Sequence, residues 1–173
     1  IKESKETIIT KPVIIFTTFW DANSLVFDRS FFHSQDEELY QVNLFVTKEN
    51  QPVNFKVQSI ALASPSMDKL PHLARYYQEM DFTRIDCLCP TYDILMDYKA
   101  DHNWDVYTTR YKELLRKRKQ RILEWINSLS PKMVYILCCW ENTSKGANCH
   151  RKILYDVFKK SEAISGDIVL LYR

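Results

Sequence analysis

Apolar residues fall into short β-branched and aromatic runs that alternate with stretches of helical spacing. Residues 1–11 are polar and mixed in charge and read as a flexible lead-in. Pro12 then opens an apolar run, Val13 to Phe19, which predicts a buried strand. Between 20 and 50 the aromatics Phe31, Phe32, Tyr40 and Phe45 stand among polar clusters, an insert with no clear period. Inside it Val42–Thr47 alternates as a strand does, and Lys48–Pro52 reads as a turn. Phe55 to Ala63 predicts a second strand, stopped at Pro65. Apolar residues at 67, 70, 73, 76, 77 and 80 predict a helix, with Pro71 inside its start. Arg84–Leu88 reads as a third short strand closed by Pro90, and 89–105 as a loop with one helical turn. Val106–Leu129 predicts the longest helix, with Tyr107, Tyr111, Leu114, Leu115, Ile122, Ile126 and Leu129 on its apolar face and Pro131 past its end. Met133–Trp140 is uniformly apolar and predicts a central strand. After a polar loop, Glu141–Asn148, residues Cys149–Lys160 are helical again; Gly166 turns the chain into a last strand, Ile168–Tyr172.

Strands alternating with helices predict an α/β three-layer sandwich with a mostly parallel sheet. Ligands collect at the carboxyl edge of such sheets, here after Phe19, Ala63 and Trp140. The 173 residues suit one domain over 12–173. At 46% hydrophobic and 27% charged, the chain has the apolar content to fold, which excludes disorder throughout. No run of about 18 apolar residues exists, so no membrane-spanning helix is expected. A net charge of +2 selects no class of partner. The five cysteines, an odd number with Cys138 and Cys139 adjacent, read as reduced thiols in a cytoplasmic setting. No secretory signal pattern opens the chain.

The chemistry concentrates between Cys138 and Arg151, where a buried strand passes through a polar loop into a helix. Asn148 is read as the N-cap, which places Cys149, His150 and Arg151 in the first turn. Free amides and the helix dipole favour an anion there, and the same field lowers a thiol pKa. Arg151 can pair with a phosphate or carboxylate, Lys145 and Gly146 can line the rim, and Glu141 sits where a general acid or base would. Plainer roles stand beside these: Cys149 as a small buried hydrophobe, and Arg151 in a structural ion pair with Glu141. There is no Walker A loop, and neither Cys138 nor Cys139 is followed at the sixth position by Arg, as a Cys-x5-Arg phosphatase loop requires.

An apolar strand ending Leu137-Cys138-Cys139-Trp140-Glu141, followed by Cys149-His150-Arg151 opening a helix, resembles the DUF488 family, a widespread prokaryotic group of unknown function. The order of elements from about 13 to 172 is similar too. The resemblance implies the fold and the site rather than a reaction. Family members show a Gly-His-Ser/Thr-like end to the first strand and Asp-x-Arg at the second. This chain has Thr17-Thr18-Phe19 and Ala61-Leu62-Ala63-Ser64-Pro65 instead.

Other features carry secondary readings. Arg116-Lys117-Arg118-Lys119-Gln120-Arg121 is a basic run, read either as a solvated helix face or as a nucleic-acid contact through Arg116, Lys117 and Lys119. Asp93, Asp97, Asp101 and Asp105 are spaced i, i+4 and read as a solvated loop. Cys87-Leu88-Cys89 is too close for zinc spacing, and His33, His72 and His102 stand singly, so no metal and no other cofactor is expected. Trp20 and Ser64, just past the first two strands, are candidates to stack on a ring and to bond a phosphate or ribose. The expected function is therefore an enzyme acting on a nucleotide, nucleoside or related small anion, with Glu141, Cys149 and His150 catalytic and Arg151, Lys145, Asn148, Ser64 and Trp20 binding. Two alternatives are a nucleic-acid binder using helix 110–121 and a non-catalytic interaction protein.

Overall fold

β-branched residues in β1 (Val13–Thr18) and β3 (Val134–Cys139) form the middle of a sheet in which all six residues of each strand are buried. That is why neither strand alternates in sequence. β2 (Phe55–Ser59) and β4 (Val169–Tyr172) flank them, in the order β2-β3-β1-β4, and every pairing is parallel. The computed structural model that shows this describes residues 11–19, 55–62, 84–131, 133–140 and 147–172. The fold is α/β, as the alternation of strands and helices predicts. The proposed strand in the 20–50 insert and the helix over 67–80 lie outside the described residues. Among the described residues no helix is long and apolar enough to cross a membrane.

Four expectations change. Arg84–Leu88 is not a strand: Arg84 makes one parallel bridge to Ser59, and Asp86–Leu88 then closes a 3-10 turn. A short apolar run buries Ile85, Cys87 and Leu88 equally well by turning. Residues 89–105 are not a loop but contain helix α1 (Tyr92–Asp101), which buries Ile94 alone and so leaves almost no apolar period to read. Asp93 and Asp97 stack on that helix because the Arg110 guanidinium bonds both. The long predicted helix is two, α2 (Trp104–Lys117) and α3 (Lys119–Asn127). The break falls at Arg118, whose guanidinium turns to the carbonyls of Cys89 (2.6 Å) and Asp86 (3.2 Å), the latter already accepting from the Cys89 amide that closes the 3-10 turn. The second strand also stops earlier than Ala63: Ile60 still bonds Cys138 O (3.0 Å), and the chain bends at Ala61, held by Ser59 Oγ (3.1 Å).

α4 (His150–Lys160) buries Ile153, Leu154 and Phe158, with Phe158 and Tyr155 edge-on to Phe16 of β1. A short α5 (Glu162–Ser165) leads to β4. Thr18 pairs with Cys139 and Ser59 with Cys138, so the carboxyl ends of β1, β2 and β3 lie level, facing the start of α4.

Candidate functional site

Cys139 is the last residue of β3, and Cys149 enters α4 in extended conformation (φ −145°, ψ 140°). Cys149, not Asn148, is the N-cap: its Sγ accepts from the Arg151 amide at 3.5 Å. The cap sits one residue later than read because Cys149 is buried there while Asn148 stays exposed, donating from Nδ2 to Tyr98 Oη at 3.3 Å.

His150 is buried, with Nε2 2.7 Å from the Ile60 carbonyl. A carbonyl only accepts, so Nε2 carries the proton. Nδ1 then presents its lone pair to two sulfurs, Cys139 Sγ at 3.7 Å and Cys149 Sγ at 3.9 Å. Tyr111 packs edge-on against the imidazole, 5.3 Å between centroids, and its hydroxyl donates to Leu88 O at 2.7 Å. The hydrogen bond from Cys139 holds the Cys149 thiol well below its usual range against the opposing effect of burial; the His150 ring and the Arg151 charge act the same way as Cys139. Burial pushes Cys89 the other way, to about 12, and raises Cys87.

Arg151 is completely buried. Its Nη1 donates to Thr17 O at 3.3 Å, and its guanidinium carbon lies 5.2 Å from the Tyr172 ring centre. It joins the start of α4 to β1 and β4 and does not line the cavity beside the cysteines.

That cavity, about 200 Å³, has Cys139, Cys149 and His150 on one wall. Tyr98, Trp104, Tyr107 and Trp140 also line it, with Lys99 and Asn148. Trp104 stacks on Tyr107 (4.7 Å, 12° between planes), and Tyr98 is edge-on to both at 5.3 Å. Of the residues singled out in sequence, Cys149, His150 and Asn148 therefore meet at one cavity. Glu141, Lys145, Ser64 and Trp20 lie outside the described residues. Arg116, Lys117 and Lys119 are exposed and away from the cavity. Tyr98, Lys99, Trp104 and Tyr107 were not anticipated. The available signal was Trp104, Tyr107 and Tyr111 at i, i+3 and i+7, one face of a helix.

Residues 66–162, more than half of the chain, match a family model described as the active DUF488-N3 subclade. The chain belongs to the DUF488 family. No curated protein and no solved structure matches it. The DUF488 match takes in α1 to α4, β3 and the residues Cys139, Cys149 and His150, and leaves β1, β2 and β4 outside.

Proposed function

We propose that this DUF488 protein is an enzyme acting on a nucleotide, nucleoside or related anionic ligand, with Cys149 as nucleophile and His150 as proton carrier. One observation carries the reading. Cys149 Sγ and His150 Nδ1 lie 3.9 Å apart on the wall of a cavity lined also by aromatic rings. Flat rings at Tyr98, Trp104 and Tyr107 suit a nucleobase, Lys99 supplies a cation, and the amides opening α4 favour an anion. The matched model's description as an active subclade supports turnover over mere binding.

In this reading Nδ1 takes the thiol proton and the thiolate attacks an electrophilic carbon of the ligand. The leaving group departs with the electron pair of the broken bond and takes the proton back from the imidazolium; water, giving a proton to Nδ1, then attacks the same carbon, and the Cys149 sulfur leaves with its electron pair and is reprotonated. Ile60 O holds the ring in the tautomer this requires. Glu141, just past Trp140, is proposed as a second acid–base group. Arg151 is proposed as a positioning residue, fixing the backbone that carries Cys149.

The test is a panel of nucleosides and 5′-mononucleotides incubated with wild type and Cys149→Ser, with products read by mass spectrometry. Wild type is expected to convert at least one member. Cys149→Ser is expected to lose turnover by about a thousandfold or more, as loss of a nucleophile does, while still binding that member. Equal turnover in the variant would contradict the reading.

A further inference from the structure

The three donors that meet at the cavity also form a geometry that no spacing rule reveals, because Cys139 and Cys149 are far apart for a Cys-x2–4-Cys pair. We propose that Cys139, Cys149 and His150 are a three-ligand site for a soft divalent cation, Zn2+ first, whose fourth position faces the cavity. The donor atoms all lie within 4.8 Å of one another. A tetrahedral zinc with bonds of about 2.3 Å to sulfur and about 2.05 Å to nitrogen sets a sulfur–nitrogen edge of about 3.6 Å. The observed sulfur–nitrogen edges are 3.7 and 3.9 Å, and the sulfur–sulfur edge, within 4.8 Å, must close to about 3.8 Å, a contraction of at most about 1 Å.

Three further features fit. The Nδ1 lone pair already points at the sulfurs, and Nε2–H bonds the Ile60 carbonyl, the outer contact that orients a metal-ligating histidine. The ligands come from the end of β3 and the start of α4, so the sheet and a helix fix them rather than a loop. Two thiolates neutralise a divalent charge, which suits donors as buried as these. Thiolate and imidazole select zinc, or cobalt in its place, over magnesium or calcium. A bound zinc shares the Cys149 sulfur electrons that the enzyme reading assigns to attack. Metal occupancy is thus a reversible off-state, and this effect, unlike the site itself, rests on that reading.

The experiment uses the full chain, reduced and freed of metal with a chelator. Cobalt titration is expected to bind one equivalent and to give a thiolate-to-cobalt charge-transfer band with tetrahedral visible bands. Cys139→Ser and His150→Gln should abolish those bands, and Cys89→Ser should keep them. Octahedral cobalt, or bands that survive loss of Cys139 and His150 together, would overturn the site. Wild type alone gives a second check should the variants misfold: Zn2+ should slow alkylation of Cys139 and Cys149 at least tenfold and leave Cys89 unchanged, and equal rates with and without Zn2+ would overturn it. Turnover separates the two readings. With both correct, the chelated protein is active and one equivalent of Zn2+ stops it. If no turnover is seen with or without Zn2+ while the cobalt bands appear, the enzyme reading fails and the site stands. Turnover that is lost on chelation and restored by Zn2+ would overturn the off-state.

Discussion

A guanidinium at Arg151, without solvent exposure, ties the first turn of α4 to the Thr17 carbonyl and the Tyr172 ring. Taking it away leaves a buried acceptor open and removes a cation–π contact. Arg151→Met, similar in length and uncharged, is expected to lower unfolding free energy by about 2 kcal/mol, read from urea midpoints. A loss below about 0.5 kcal/mol would mean the side chain fastens nothing. Cys89 carries a pH dependence of its own. Burial raises its thiol from an ordinary value near 9 to about 12. The folded state therefore keeps a proton that the unfolded state gives up, so the contribution is complete below about pH 9 and falls away as pH rises toward 12. Against Cys89→Ser, which does not ionise there, wild type should lose up to about 1.4 kcal/mol per pH unit over that window. A constant difference between the two proteins would contradict this. In sequence, Arg151 and Cys149 were legible as notable but not as what they are. A Cys-His-Arg string says nothing about which residue faces the cavity and which faces the sheet.

Among the elements, α2 lends the cavity Trp104 and Tyr107, stacked on one face. A base stacked on an aromatic ring gains about 1–3 kcal/mol. Trp104→Ala should therefore weaken the affinity of whichever nucleotide the wild type binds by tenfold or more, measured by thermal-shift titration. Unchanged affinity would remove the ring from the binding surface. The helices that bury a wide apolar stripe, α2 and α4, were readable from their period. α1 was not, because it buries Ile94 alone and is held by two ion pairs to Arg110 across the turn. The break at Arg118 was hidden for a different reason. A basic residue in a basic run looks solvated, and only the fold shows that it reaches the carbonyls of Asp86 and Cys89.

For the whole molecule, the parallel α/β sheet was legible because β1 and β3 are buried on both faces and read as unbroken apolar runs. The rule placing sites at the carboxyl edge pointed after Phe19, Ala63 and Trp140, and it is at the ends of β2 and β3 that Ile60 and Cys139 meet His150. Strand order was not legible, and with it the meeting of Cys139 with Cys149, since both depend on which strand ends lie side by side. All five cysteines are free and buried, yet only two of them line the cavity. That contrast supplies the most direct test of the account: alkylation at neutral pH in chelated, reduced protein, resolved peptide by peptide, with Cys138 and Cys89 as internal references. The account predicts that Cys149 reacts at least tenfold faster than either, and that the nucleotide the enzyme turns over slows it. Cys149 reacting as slowly as Cys138 would mean a packing thiol and would contradict the catalytic role.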